Sequence, residues 1–282
     1  MAYKSILTVV TDAANVPDQI DAAVALARRE DAHLDVLCLG LDRTEYGYYY
    51  VGAAPIAPVI LQETLDDARN AALAAEAAVR QQLAPEDIRW AVDTGVAQIS
   101  ALARDVGHLA RFADLVVLPK PKGKADQYEQ QAIVEAAVFE GRAPVLLLPP
   151  AKFGADYGKR VIIAWNQSDE AMVAIRAALP ILKAASDVNI AIIAPPAHGP
   201  ERSDPGGRLS QFLARHGVHC EVSVLAKTLP HASDVLCRHI EDINADMVVM
   251  GAYGHSRFRE AILGGTTREM FDISPVPVLA AH

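Results

Sequence analysis

Short aliphatic runs alternate along the whole chain with longer stretches in which apolar residues recur at helical spacing. The aliphatic runs, such as those around Val117 and Val248, are nearly continuous, which is typical of strands covered on both faces of a parallel sheet. Strands are predicted at about 4–10, 34–41, 87–93, 114–118 and 144–148, and again at about 160–165, 188–194, 219–226, 246–250 and 276–280. Helices are predicted at about 18–30, 59–83, 98–111 and 126–140, and again at about 169–185, 205–216, 231–243 and 257–272. Such an alternation with right-handed crossovers predicts an α/β fold.

The second half of the chain repeats landmarks of the first. Lys4–Val10 has its counterpart in Lys159–Trp165, and an Ala-rich run follows each. Ala113–Leu118 has its counterpart in Ala245–Met250, and a Pro-Val-Leu triplet follows each. Matched landmarks in the same order indicate an internal duplication. The sequence therefore predicts two doubly wound α/β domains in tandem.

A stretch rich in Pro, Gly and polar residues, 149–158, separates the two halves and has the composition of a linker. We therefore predict domains at 1–150 and 159–282. In doubly wound sheets, ligands bind beyond the carboxyl ends of the strands, where the winding direction reverses. The loops after the first and fourth strands of each half are the places to look for a site.

Composition excludes several classes of function. The 282 residues carry a formal net charge of -9, which argues against a nucleic-acid-binding protein. No apolar run approaches the roughly 20 residues that cross a bilayer, and the N-terminal residues do not have the pattern of a secretory signal. The three cysteines lie among aliphatic residues, which favours free thiols in a reducing compartment. We predict a cytoplasmic protein without membrane or nucleic-acid partners.

The loop after Met250 carries the most suggestive chemistry, because it has two pairs of glycines followed by two threonines. These residues are Gly251, Gly254, Gly264, Gly265, Thr266 and Thr267. Glycines allow the backbone to approach a ligand closely, and the amides and hydroxyls at a helix start suit phosphate oxygens. The same residues also suit a simple turn and helix cap, and that alternative stays open.

The glycine spacing of this loop, the preceding Ala245–Gly251 and the closing Pro-Val-Pro-Val-Leu resemble the nucleotide-binding signature of the universal stress protein family. With the duplication, the resemblance covers essentially the whole chain, as in a tandem two-domain member. It implies an open five-stranded parallel sheet in each domain, Rossmann-like and adenine nucleotide alpha hydrolase-like. It also implies that the second domain binds ATP or AMP, with or without Mg²⁺. In the family pattern Ser or Thr follows the position of Gly264, whereas Gly265 intervenes here.

The resemblance also assigns residues on neighbouring strands. The family has an acidic residue after the first strand, matched by Asp12 in the first half and by Asn166 in the second. Asn can hydrogen-bond a ribose or a base but carries no charge to hold a metal. Asn166 or Ser168 could instead cap the following helix. Ala194, at the end of the second strand, would offer backbone hydrogen bonds to adenine.

The first half lacks the glycine pattern. Pro119 and Pro121 remove backbone donors from the equivalent loop, so we expect no nucleotide there and a structural or regulatory role for this domain. The loop's lysines, at 120, 122 and 124, are expected in a solvated loop, with an anion site as the alternative. Residues 44–55 form an additional segment with four tyrosines, which could line a small-molecule pocket or pack against a domain.

No nucleophile with a matching base and no metal-binding motif stands out, so we expect no catalytic residue and at most slow ATP hydrolysis. His231, His239 and His255 are expected at the surface or at helix caps. The predicted function is a stress-response protein that binds an adenine nucleotide in its second domain. The alternative is a scaffold or small-molecule sensor that uses the tyrosine segment and an inter-domain cleft, and a third is an enzyme of the related hydrolase-like superfamily. The resemblance further implies that the domains pair through their last strands, and it allows a homodimer.

Overall fold

The computed structural model describes residues 3–42, 58–120, 124–149, 156–195, 204–253 and 265–282. The chain divides into two compact units, Ala2–Ala143 and Pro144–His282. Both units alternate strands and helices, which confirms the predicted α/β class. The functional domain limits 1–150 and 159–282 remain a prediction.

The first unit has a parallel sheet with the strand order β3-β2-β1-β4. Its strands are β1 (Ser5–Val10), β2 (His33–Asp42), β3 (Arg89–Gln98) and β4 (Leu115–Pro119). Its helices are α1 (Val16–Glu30), α2 (Pro58–Leu83), α3 (Leu102–Ala110) and α4 (Lys124–Glu135), and a five-residue π-helix, Ala136–Glu140, continues from α4.

Strand β3 is longer than its sequence predicts. The prediction ended at residue 93, whereas the strand continues to Gln98 because residues 94–98 pair with Cys38–Asp42 of β2. Asp93 and Thr94 are exposed on this strand. Strand prediction depends on runs or alternation of apolar residues, and the polar residues on this exposed strand interrupt that pattern.

The second unit has the strand order β5-β10-β9-β6-β7-β8. Its strands are β5 (Val145–Leu148), β6 (Arg160–Ala164), β7 (Asp187–Ile193), β8 (Glu221–Leu225), β9 (Met247–Gly251) and β10 (Val278–Ala281). Its helices are α5 (Asp169–Ala184), α6 (Gly207–Arg215), α7 (Ala232–Asp242) and α8 (Thr266–Ile273). Strand β5 runs antiparallel to β10, whereas the other described strand pairs of this unit are parallel. The last strands of the two sequence halves therefore pair, as the resemblance implies.

The two fourth strands explain the continuous apolar runs of the sequence. Residues 115–118 of β4 and 247–249 of β9 are all at most 1% exposed, which is the burial expected of strands covered on both faces. The carboxyl ends of β4 and β9 are therefore fixed by packing, and the loops that follow them start from rigid positions.

In each half of the sequence, an aspartate carboxylate accepts backbone hydrogen bonds at the start of the first strand, β1 or β6. Asp114 accepts hydrogen bonds from the backbone amides of Lys4 (2.7 Å) and Ser5 (3.1 Å). Asp246 accepts them from three amides, those of Gly158 (2.9 Å), Lys159 (3.1 Å) and Arg160 (3.1 Å). The Ala-Asp pair before each fourth strand thus has the same role in both halves of the duplication.

Candidate functional site

The candidate site lies at the carboxyl edge of the second unit's sheet. Strands β6 and β9 are neighbours there, with Ala164 opposite Met250, so the residues that follow these strands are close together. Ala252 continues from β9 and is fully buried, with its amide donating to the carbonyl of Ala281 (2.8 Å). In an open parallel sheet this edge is the usual place for a ligand.

Gly251, the last residue of β9, lies against the first turn of α5. A Cβ at this position would be 2.6 Å from the amide nitrogen of Ala171 and 2.9 Å from the carbonyl carbon of Glu170. Any side chain here would therefore push into the helix backbone. Packing alone requires glycine at this position, so its presence is not specific evidence for a ligand.

Thr267 connects the start of α8 to the end of β9. Its Oγ1 accepts a hydrogen bond from the amide of Tyr253 (3.2 Å), and its side chain is buried. Tyr253 has a left-handed φ of 55°, and its ring meets the edge of Phe271 with 6.4 Å between the ring centroids. An acceptor on the Thr267 hydroxyl is thus already used inside the protein, whereas Thr266 is only half-buried.

Helix α8 begins beside this contact without a side-chain cap. Gly265 is the N-cap residue, its backbone is extended (φ -70°, ψ 146°), and no side chain within the described ranges caps the helix. The first amides of a helix carry a partial positive charge and attract anions. A helix does begin at Thr266, as the glycine-threonine pattern suggested, and the part of the predicted helix at about 257–272 that precedes residue 265 lies outside the described residues.

The loop after β6 is held by its own side chains. The Oδ1 atom of Asn166 accepts from the amide of Ser168 (3.2 Å), and the Oγ atom of Ser168 accepts from the amide of Ala171 (3.1 Å). Ser168 is therefore the cap of α5, and Asn166 forms the turn before it. Asp169 and Glu170 in the first turn make this helix start unfavourable for anions, in contrast to α8.

Ala194 follows β7 and is exposed with a left-handed φ of 43°. Its amide donates to the carbonyl of Leu225 on the neighbouring strand (2.9 Å), so its carbonyl is the backbone group that could serve a ligand. Trp165, which the sequence did not single out, directly precedes Asn166. Its indole Nε1 is buried and has no hydrogen-bond partner in the described part of the chain.

Several predicted residues lie outside the described residues. These are Gly254, Gly264, His255, Lys122 and the tyrosine segment 44–55. The expectation that Lys120 lies in a solvated loop is wrong, because this residue is only 4% exposed. In the same unit Asp12 caps a short helical turn, with its Oδ1 accepting from the amide of Ala14 (2.9 Å).

Two histidines at and within α7, His231 and His239, differ in their surroundings. His231 precedes the helix at the N-cap position and is exposed, as expected, with its Nδ1 2.8 Å from Oε1 of Glu269. The second carboxylate oxygen of Glu269 accepts from Ser233 Oγ (2.6 Å). His239 was expected at the surface or at a helix cap, but it is buried, because it faces the sheet and its Nε2 lies 2.9 Å from Oδ1 of Asn189.

Burial gives His239 a pH-dependent effect on stability. Loss of hydration lowers its pKa, and the charge of Asp242 opposes this in part. The unfolded chain therefore takes up the proton first as the pH falls below about 6.5, and the free energy of unfolding drops by at most about 1.4 kcal/mol per pH unit until the lowered folded pKa is reached. We expect the second unit to be less stable at pH 5.5 than at pH 7.5, measured by urea unfolding with Trp165 fluorescence in a Trp90→Phe background. His239→Gln should reduce this difference, whereas His219→Gln, at an exposed position, should keep it. An unchanged pH difference in His239→Gln would contradict this assignment.

Metal chemistry has no support in the described ranges, where no three His, Cys, Asp or Glu side chains are placed to hold an ion. In those same ranges, no helix combines the length and apolar character needed to cross a membrane.

Comparison with known proteins identifies the second unit. The model of the universal stress protein family matches residues 158–282. A universal stress protein of Synechocystis sp. is 36% identical over 73 residues, which are 26% of this chain and 24% of that protein, so the match spans about a quarter of this curated relative.

Solved structures resemble the whole chain. A universal stress protein of Archaeoglobus fulgidus superposes with a TM-score of 0.73 at 15% identity, covering 98% of this chain and 96% of that one. A Pseudomonas aeruginosa protein of unknown function gives a TM-score of 0.60 at 17% identity, covering 99% and 92%. At these identities the likeness shows the fold. Residues 158–282 therefore belong to the universal stress protein family, and the chain as a whole has the fold of a tandem universal stress protein.

Proposed function

We propose that the second unit binds an adenine nucleotide, ATP or AMP, at the carboxyl edge of β6, β7 and β9. The observation that carries the proposal is the uncapped start of α8 beside the end of β9, within the segment that matches the family model. The first unit would serve as its structural or regulatory partner, and the protein would act in the stress response of the cytoplasm.

The internal hydrogen bonds narrow the roles of the proposed ligand-binding residues. Phosphate oxygens would accept hydrogen bonds from the amides at Gly265 and Thr266 and from the Thr266 hydroxyl, because the Thr267 side chain is buried and its hydroxyl holds the amide of Tyr253. Asn166 would offer its side-chain NH₂ to the ribose or base, since its oxygen is engaged with Ser168. The carbonyl of Ala194 would accept from the adenine amino group. Gly251, Gly254 and Gly264 would let the loop come close to the phosphates.

Mg²⁺ would have to be bound mainly through the phosphates. Asn166 supplies no charge where the family has an acidic residue, and carboxylates are the protein ligands that Mg²⁺ prefers. We therefore expect nucleotide binding to depend only weakly on Mg²⁺.

Thr266→Glu tests the site without weakening the helix. A carboxylate at the first helical position favours the helix dipole but repels a phosphate. We expect calorimetry to show saturable binding of ATP and AMP to the wild type, and at least about tenfold weaker ATP binding to Thr266→Glu, which corresponds to about 1.4 kcal/mol. Thr266→Val, which removes only the hydroxyl, should give a smaller loss.

Gln211→Glu is the matched control, because it adds the same charge at an exposed position of α6. It should bind ATP like the wild type. No saturable binding by the wild type at millimolar nucleotide would instead support the scaffold or small-molecule sensor. If Thr266→Glu binds ATP as tightly as the wild type, the start of α8 is not part of the nucleotide site.

A further inference from the structure

The first unit has a groove of its own, between α3 and strands β2 and β3. Its volume is about 780 Å³, within the range of pockets that hold small organic ligands. The strand side is apolar, with Leu37 and Leu39 of β2 and Gly95 of β3. Leu39 and Gly95 are register partners and share one face of the sheet.

Next to the groove, α3 packs closely against the π-helix that follows α4. A Cβ at Gly107 would lie 2.5 Å from the Cβ of Glu140, and one at Gly141 would lie 2.5 Å from the Cβ of Ala110. These two glycines hold α3 tightly against the π-helix. At Gly95, by contrast, a Cβ would meet Leu39 Cδ1 at 3.6 Å, which is ordinary contact, so the strand side has space for a side chain.

One edge of the groove is a polar stripe along α3. Arg104 and His108 lie four residues apart on one side of α3 and line the groove, together with Ser100 just before the helix and Arg111 at its C-cap. His108 meets the ring of Phe112 edge-on, with 5.8 Å between centroids. The stripe therefore presents two guanidinium groups and an imidazole beside an apolar surface.

The two arginines differ in how their charge is balanced. The Nε atom of Arg104 is 2.7 Å from Oδ1 of Asp105, which offsets its charge. Arg111 donates its Nε to the backbone carbonyl of Glu140 (3.1 Å), and in the described residues no carboxylate pairs with it. That bond fixes the plane of the Arg111 guanidinium and leaves the two terminal nitrogens for a bidentate acceptor.

We propose that this groove binds a small amphipathic carboxylate. The apolar body lies on Leu37, Leu39 and Gly95, and the carboxylate accepts two hydrogen bonds from the terminal nitrogens of Arg111. The exposed side chain of Glu140 also lines the groove. Its negative charge repels the carboxylate of such a ligand and weakens binding. The site lies in the first unit and does not depend on nucleotide binding by the second.

The test uses 4-phenylbutyrate with its neutral and cationic counterparts, 4-phenylbutanol and 4-phenylbutylamine. Isothermal titration of the full chain should show saturable binding of the acid and weaker binding of the alcohol and the amine. Arg111→Gln should weaken the acid about tenfold, as loss of a charge-assisted pair predicts, and leave the alcohol unchanged. Glu140→Gln should bind the acid about twofold to threefold more tightly, since a like charge is removed.

Gly95→Val fills the groove and should abolish binding of the acid, with far-UV circular dichroism and Trp90 fluorescence showing that the unit remains folded. Arg215→Gln, at an exposed arginine of α6, is the matched control and should bind the acid like the wild type. The proposal is overturned by any of three results. These are no saturable binding of the acid at millimolar concentration, unchanged affinity in Arg111→Gln or in folded Gly95→Val, or stronger binding of the amine than of the acid.

Discussion

Replacing Asp246 by alanine is expected to lower the free energy of unfolding of the second unit by about 3 kcal/mol. Its carboxylate accepts from three consecutive backbone amides, at Gly158, Lys159 and Arg160, all between 2.9 and 3.1 Å. A net contribution of about 1.5 kcal/mol or more is usual for a hydrogen bond to a charged group, and the three are not fully additive. Asp246→Asn keeps one acceptor oxygen and should lose less.

The duplication supplies a graded comparison. Asp114 has the same place in the first unit but accepts from only two amides, at Lys4 and Ser5. Asp114→Ala should therefore destabilise its unit by less than Asp246→Ala destabilises the second. The difference reflects the number of amides that lose a partner, because both aspartates precede the fourth strand of their half of the sequence.

The two tryptophans allow each unit to be followed separately in urea unfolding. Trp90 lies on β3 of the first unit and Trp165 follows β6 of the second, so single-tryptophan variants report one unit each. Asp246→Ala should shift the transition seen by Trp165, and Asp114→Ala the transition seen by Trp90. Glu241→Ala, at an exposed position of α7, is the control. A shift in Asp246→Ala no larger than that in Glu241→Ala would contradict the anchoring role.

Most of the fold was predictable because the buried strands have continuous apolar runs. Residues 115–118 and 247–249 are covered on both faces, and such strands are the easiest to recognise. The end of β3 was not predictable, because its pairing with β2 is a tertiary property of residues with a polar local pattern. The repeated Ala-Asp pair was visible as a repeat, but its role depends on amides more than 80 residues away in sequence.

The candidate site was predictable in position more than in detail. The start of α8 next to the end of β9 follows from the order of elements and the glycine-threonine pattern. The sequence does not show which atoms remain available to a ligand, because the hydrogen-bond partners of hydroxyl and amide groups depend on the folded structure. Thr267 and Asn166 each have an internal partner that the sequence does not specify. Burial of Lys120 and His239 likewise depends on packing, because both residues are usually exposed.

A side chain at Gly251 is expected to destabilise the second unit strongly. The Cβ of Gly251→Ala would stand 2.6 Å from the amide nitrogen of Ala171, and both contacting groups belong to the backbone of α5. Neither can rotate away, so the helix start must move. Overpacking of this kind costs about 1–3 kcal/mol, and Gly251→Val should exceed the alanine variant.

Gly95 is the matched strand glycine, because a Cβ there makes only ordinary contact with Leu39. Gly95→Ala should leave the Trp90 transition unchanged or raise it slightly, since alanine loses less chain entropy than glycine in a strand. Gly251→Ala should shift the Trp165 transition to lower urea. Loss of ATP binding in Gly251→Val would then report a displaced helix as much as a blocked phosphate, and Thr266→Glu is the sharper test of the site. If Gly251→Ala unfolds like the wild type yet no longer binds ATP, packing does not explain this glycine, and close approach of the backbone to a phosphate does.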